Sequence, residues 1–133
     1  QAEDGIRDVE RSRGLGDVYK RQDIEIVERF RKRPYEKNRK FYKRIFTEKE
    51  IKYCLRKRDP YPHFTGRFAA KEAFIKAVNS IDGLYFKDIE VLNSESGKPY
   101  LKLKKQSKVS PSSIFLSISH TEFHAISFVI ITD

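Results

Sequence analysis

Between residues 64 and 78 the chain is apolar on nearly every side of a helical wheel, and only Gly66, near the start, weakens a helix there. With Glu72 at zero and about 100° per residue, Lys76 falls at about 40°, Thr65 at about 20° and Ala69 at about 60°. Phe64, Phe68 and Ile75 flank one side of this stripe and Ala73 and Ala77 the other, while Ala70 and Phe74 close the back. Only Arg67 and Lys71 interrupt the apolar remainder. A helix apolar almost all round is a buried helix, so the pattern predicts a buried element with Glu72 and Lys76 as its charged stripe. Such a stripe is either an i,i+4 pair on a solvated face or a paired or ligand-bound site inside the domain, since buried charge is otherwise costly.

The rest of the pattern is arranged around that helix. Residues 23–30 alternate polar and apolar, then shift to helical spacing at Ile26, Val27 and Phe30. This predicts a strand end turning into a short helix, with Asp23 at the junction, where helix N-capping is its ordinary use. Thr47-Glu48-Lys49-Glu50 has the form of a capping box and predicts a helix over 47–58 with Ile51 and Leu55 inside. Asp59-Pro60-Tyr61-Pro62 ends it, because each proline disfavours helix in the residue before. Beyond residue 78 the texture becomes that of strands and turns. Strands are predicted over 88–92, 100–104, 114–120 and 125–131, with Asn93-Ser94-Glu95-Ser96-Gly97-Lys98-Pro99 as a turn and 106–113 as a polar loop. Helices first and an antiparallel meander after give an α+β domain, helices packed on an antiparallel sheet.

Composition narrows the function. The 133 residues suffice for one domain. No run of about 20 apolar residues offers a membrane span. The single Cys54 excludes an intrachain disulfide and fits a reducing, cytoplasmic compartment; it reads as a small half-buried side chain. Residues 1–22 hold five basic and five acidic residues, three glycines and no apolar periodicity. They read as a non-native leader, leaving 23–133 as the domain. The whole net charge of +9 therefore falls in the domain, which implies an acidic or phosphorylated partner. Nine of the basic residues stand between Arg29 and Arg44, interleaved with Tyr35, Phe41 and Tyr42. By default most of them are merely solvated.

Phosphate-binding glycine loops, zinc spacings and serine-nucleophile elbows are absent from the sequence. Two carboxylates remain, Asp23 and Glu72, with Lys76 one turn beyond Glu72 and His120 at a strand end. Two carboxylates and a lysine suit a hard divalent cation held beside a phosphate.

These pieces, in this order, resemble the holo-[acyl-carrier-protein] synthases, the short 4′-phosphopantetheinyl transferases. The matching stretches are Asp23 with Arg29 six later; Phe41 to Thr47 leading into Glu50; Arg67-Phe68-Ala69-Ala70-Lys71-Glu72-Ala73-Phe74-Ile75-Lys76-Ala77; Asp88-Ile89-Glu90; Gly97-Lys98-Pro99-Tyr100; and Ser117-Ile118-Ser119-His120-Thr121. The resemblance implies a 4′-phosphopantetheinyl transferase-like fold. It implies transfer of the phosphopantetheine arm of coenzyme A to a serine of an acidic acyl carrier protein, with release of adenosine 3′,5′-bisphosphate. In that family the positions of Asp23 and Glu72 hold Mg²⁺, and that of Lys76 neutralises phosphate charge. Glu72, directly or through a bound water, is a candidate to take the serine proton. Arg67, Gly97, Lys98, Pro99, Ser119 and His120 would frame the adenine and the 3′-phosphate. Arg29, Lys40 and Arg44 would dock the carrier protein. A homotrimer with sites between subunits is implied, and neither nucleic acid nor membrane as partner.

The chain departs from the family pattern twice. Val18-Tyr19-Lys20-Arg21-Gln22 stands where an apolar, glycine-containing strand precedes the metal aspartate. Asn79-Ser80-Ile81-Asp82-Gly83 stands where a glycine-threonine-glycine turn follows the catalytic helix. The competing readings are a basic nucleic-acid-binding module, resting on the run from Arg29 to Arg44, and a transferase-like domain inactivated by its altered N-terminus.

Overall fold

The computed structural model describes residues 18–78, 84–104 and 113–132. Strand β1 (Val18–Ile26) leads into a single helical turn, α1 (Glu28–Arg31), and a 3₁₀ turn at Tyr35–Lys37. Helices α2 (Arg39–Ile45), α3 (Glu48–Leu55) and α4 (Pro60–Val78) follow. A second 3₁₀ turn, Phe86–Asp88, opens the strands β2 (Ile89–Asn93), β3 (Pro99–Leu103), β4 (Ile114–His120) and β5 (His124–Thr132). Among the described residues the strands form two antiparallel sheets, one of three strands in the order β1-β5-β4 and a separate β2-β3 hairpin. The α+β class holds. The expected succession of helices and then strands does not, because β1 opens the described chain and pairs with β5 along its whole length, from Val18↔Thr132 to Ile26↔His124. Residues 18–22, assigned to the leader from sequence, thus stand in the sheet. Asp23 is the strand's sixth residue, opposite Ser127, and not a helix N-cap.

Helix α4 is the axis of the domain. It begins four residues before the expected start, because Pro60 and Pro62 stand in its first turn, where a missing N–H costs nothing. The Asp59 carboxylate accepts from the Tyr61 amide at 3.3 Å and so caps that end. Two apolar cores meet on this helix. Ala70, Ala73, Phe74 and Ala77 pack against Ile89, Val91, Leu101, Leu116, Val129 and Ile131 of the strands. Phe64 and Phe68 join an aromatic core with Phe30, Tyr35, Tyr42 and Phe46. There the Tyr42 hydroxyl donates to the Arg33 carbonyl at 2.6 Å. Gly66 lets α4 lie close on the sheet, since a Cβ there would stand 2.9 Å from Ile118 Cγ2.

The capping box at Thr47 is present and starts α3. Its inner face is Ile51 and Cys54, both buried, while Leu55 is exposed, against expectation. Cys54 is fully buried rather than half-buried, and burial pushes its thiol up to about 12.

The buried charges of α4 are not the expected stripe. Glu72 is half-buried and Lys76 is exposed, whereas Lys71 and Arg67 are buried. All three ammonium protons of Lys71 find acceptors: the Ile45 carbonyl at 2.7 Å, Glu50 Oε1 at 2.7 Å and the Phe86 carbonyl at 3.0 Å. Glu50, also fully buried, accepts from the Thr47 amide at 2.8 Å and from the Val91 amide at 2.7 Å. The Thr47 hydroxyl in turn donates to buried Glu90 at 2.5 Å. Burial pushes the Lys71 ammonium down and the Glu50 carboxylate opposes this. The network fastens α2, α3, α4 and β2 together, and so fixes which face α4 turns towards β1.

Candidate active site

Strand β1 turns its acidic residues inward. Asp23 is buried and Glu25 half-buried on the face that meets α4, while Ile24 and Ile26 point outward and are exposed. Across from them α4 presents Glu72 and Lys76. Lys76 Nζ donates to Asp23 Oδ1 at 2.7 Å, its side chain 48% exposed and that of Asp23 8%. The expected Asp23, Glu72 and Lys76 are therefore brought together from opposite ends of the domain's first half. The ion pair forms between Lys76 and Asp23, not between the i,i+4 neighbours Glu72 and Lys76.

The patch is rich in negative charge. Burial and then the Asp23 carboxylate raise the Glu72 pKa above the usual carboxylate range, with Lys76 and Arg29 pulling the other way. Glu25, which the sequence reading missed, is pushed up to about 8, first by burial and then by Asp23. Its cationic partner is Arg29, whose Nη1 donates to Glu25 Oε1 at 2.9 Å. The spacing from Asp23, two residues along a strand, was the signal that could have found Glu25, because it puts both carboxylates on one face. Asp23 Oδ2 is buried without a hydrogen-bond partner, and so is the hydroxyl of Ser127, the residue directly opposite. Hard oxygen donors, one of them buried and unsatisfied, fit a hard divalent cation. Among the described residues no three His, Cys, Asp or Glu side chains form a closed metal site.

A second feature lies on the same helix. Arg67 precedes Glu72 by five residues, about 7.5 Å along the axis. It lines a cleft of about 580 Å³ with Lys49, Lys52, Arg56 and Lys57 of the α3 side and with Asn93, Gly97 and Tyr100 of the β2-β3 hairpin. The Arg67 guanidinium lies 4.0 Å over the Tyr53 ring and donates to Asn93 Oδ1, while its Nε is buried without a partner. Five cations and one unsatisfied buried donor make this an anion-binding cleft. The basic residues of α3 had no signal of their own in the sequence.

The remaining expected residues are more dispersed. Gly97, at φ +90° in the hairpin turn, borders the cleft, whereas Lys98, at the end of that turn, and Pro99, the first residue of β3, do not line it. Ser119 and His120 are exposed at the end of β4. The His120 ring stands 4.7 Å from His63 of α4, a residue the sequence reading missed. Burial and the facing His120 push His63 down to about 4. Arg29 lies on α1, and Lys40 and Arg44 are exposed on α2. Residues 79–83 and most of the loop over 106–113 lie outside the described residues. Among the described residues no helix is long and apolar enough to cross a membrane.

Residues 22–129 match the family model of the 4′-phosphopantetheinyl transferase superfamily. The holo-[acyl-carrier-protein] synthase of Thermodesulfovibrio yellowstonii is 46% identical over 111 residues, covering 83% of this chain and 94% of that protein. The synthase of Chloroherpeton thalassium is 47% identical over 113 residues, covering 81% and 93%. Among solved structures, a holo-(acyl-carrier-protein) synthase of Bacillus anthracis in complex with CoA (3′,5′-ADP) superposes with a TM-score of 0.75 at 32% identity, over 90% of this chain and 99% of that one. The Helicobacter pylori enzyme in complex with coenzyme A gives 0.70 at 29% identity, over 86% and 99%. The chain belongs to the 4′-phosphopantetheinyl transferase superfamily and, within it, to the holo-[acyl-carrier-protein] synthases. It is an enzyme, a transferase of that class.

Proposed function

We propose that the protein transfers the 4′-phosphopantetheine arm of coenzyme A to a serine of an apo acyl carrier protein, with Mg²⁺, and releases adenosine 3′,5′-bisphosphate. One observation carries this reading: Asp23, Glu72 and Lys76 converge between β1 and α4, with a buried Asp23 oxygen left unsatisfied. Two carboxylates are the usual protein share of a Mg²⁺ site completed by substrate phosphate, so Asp23 and Glu72 would hold the ion. When bound, the ion supplies charge neutralisation at the pyrophosphate.

The chain's own groups do the rest. The serine oxygen forms a new bond to the phosphorus that bears the pantetheine arm, and the bond from that phosphorus to the nucleotide oxygen breaks. The Lys76 ammonium stabilises charge that develops on the phosphate oxygens. Glu72, directly or through a bound water, takes the serine proton. The cleft at Arg67 and Gly97 takes the nucleotide's anionic end, with Lys98 of the turn, Pro99 at the start of β3, and Ser119 and His120 framing it. Arg29, Lys40 and Arg44 dock the acidic carrier protein. The protein works as a homotrimer, a reading supported by the outer face of the three-stranded sheet, where Ile24, Ile26, Phe115, Ile126 and Phe128 are all exposed.

Mass spectrometry of an apo carrier protein incubated with the enzyme, coenzyme A and Mg²⁺ tests the reading. The added arm is expected, and Glu72→Gln should abolish it without unfolding the protein. Absence of transfer by folded wild-type protein, or full activity of the Gln variant, would overturn it.

A further inference from the structure

His120 is exposed at the last position of β4, and His63 stands half-buried on α4, one turn before Arg67. Their rings meet edge to face, with 4.7 Å between centroids and 68° between planes. His63 also meets the Tyr53 ring of α3, at 6.2 Å and 72°. Tyr53 in turn carries the Arg67 guanidinium 4.0 Å over its ring. Four side chains from three elements thus form one continuous series: His120, His63, Tyr53 and Arg67. Its two ends are groups that, on the reading above, frame the nucleotide's anionic end. His63, in its middle, has no place in that reading.

We infer that His63 is a positioning residue for the nucleotide: braced by Tyr53, it holds the His120 ring in a set relation to Arg67, so that one bound nucleotide meets both. This rests on the proposed function. An exposed histidine at a strand end is free to turn, and a ligand that uses it loses affinity by stopping that motion. A half-buried ring packed against it removes the freedom beforehand. Edge-to-face rings also have a preferred geometry, which an aliphatic side chain of similar bulk lacks. His63 acts here by shape. Burial and the facing His120 push it down to about 4, so at neutral pH it adds no charge beside Lys57 and Arg67.

Calorimetric titration with adenosine 3′,5′-bisphosphate, without carrier protein, tests the inference apart from catalysis. His63→Leu keeps the bulk and the helix and should weaken binding about three- to tenfold, the range of one aromatic pair. His63→Phe keeps a ring and should bind within about twofold of the wild type. In the His120→Ala background His63→Leu should cause no further loss, because there is then no ring to hold. In the transfer reaction His63→Leu should raise KM for coenzyme A with kcat close to that of the wild type, whereas a loss of folded protein would lower kcat at unchanged KM. Unchanged affinity and KM in His63→Leu overturn the inference. So does an equal loss in His63→Phe, or a loss that persists without the His120 ring. If the wild type binds the nucleotide and transfers the arm while His63→Leu binds as tightly, the positioning role alone is wrong. If the folded wild type neither binds the nucleotide nor transfers the arm, the proposed function falls and the inference with it.

Discussion

Lys76 Nζ and Asp23 Oδ1, separated by 53 positions in the chain, stand 2.7 Å apart and tie the exposed edge of α4 to the inward face of β1. The contact is half in water, so its worth to stability is small, about 0–1 kcal/mol. Its value lies in placing an ammonium beside two carboxylates. Lys76→Ala is expected to lower transfer by about 10²–10³-fold, the usual cost of losing one preorganised charge at a phosphoryl centre. Its unfolding midpoint should stay close to that of the wild type. Steady-state kinetics with thermal unfolding on the same sample checks both halves.

The opposite pattern is expected at Lys71. Lys71→Met strands the fully buried Glu50 and leaves the Ile45 and Phe86 carbonyls without their donor. Breaking a buried pair from one side costs about 3–5 kcal/mol. Urea denaturation should show a loss of that order, and Lys71→Met with Glu50→Gln should recover part of it.

Gly66 is a glycine in mid-helix, where alanine normally gains about 1 kcal/mol. Here the added methyl would meet Ile118 Cγ2 at 2.9 Å. Overpacking of that kind costs about 1–3 kcal/mol, so Gly66→Ala is expected to destabilise the protein. Adding Ile118→Ala to it should cost less than Ile118→Ala costs alone. Denaturant titration of the four proteins provides the comparison.

His63 makes stability depend on pH in a defined window. Its folded pKa, about 4, lies below the ordinary value of 6.5, because of burial and the facing His120. Between those values the unfolded chain binds a proton that the folded chain refuses, so folding weakens as pH falls from about 6.5 to about 4. Above 6.5 His63 is neutral in both states and contributes no slope. Chemical denaturation at pH 6.5 and 4.5 should show a smaller loss in His63→Gln than in the wild type.

Phe128→Glu places a charge on the outer sheet face beside Gln22 and Ser117, its partners in register. Light scattering coupled to size exclusion should show a trimer in the wild type and smaller species in the variant. A wild type that elutes as a monomer would remove the oligomer from the proposal.

Much of the site could be read from the sequence because its main residues sit in contiguous motifs. Asp23, Glu72 and Lys76 were legible in this way. The ion pair among them was not, since helical spacing favours Glu72 with Lys76 and only the fold sets Asp23 against Lys76. The facing of β1 is not set by alternation alone. Alternation normally sends isoleucine inward, but here the inner face is the polar site and Ile24 and Ile26 face out. Pro60 and Pro62 carry two meanings at once, ending one helix and opening the next, and local rules alone do not rank them. Arg67 and Lys71 looked like interruptions because their partners, Asn93 and Glu50, are 26 and 21 residues away. His63 had no signal at all without His120 beside it.

The Thr47-Glu50-Lys71-Glu90 hub has a consequence for how this protein can change. Each member satisfies another member's buried charge or hydrogen bond, so a single substitution at any of them leaves a neighbour stranded. Viable alternatives require two or more coordinated replacements, which makes these positions slow to drift. Arg29 and Glu25 are joined by one half-exposed contact and can be exchanged singly at modest cost. Divergence among lineages of such enzymes should therefore collect at exposed pairs such as Arg29 and Glu25, while the scaffold that aims α4 stays locked.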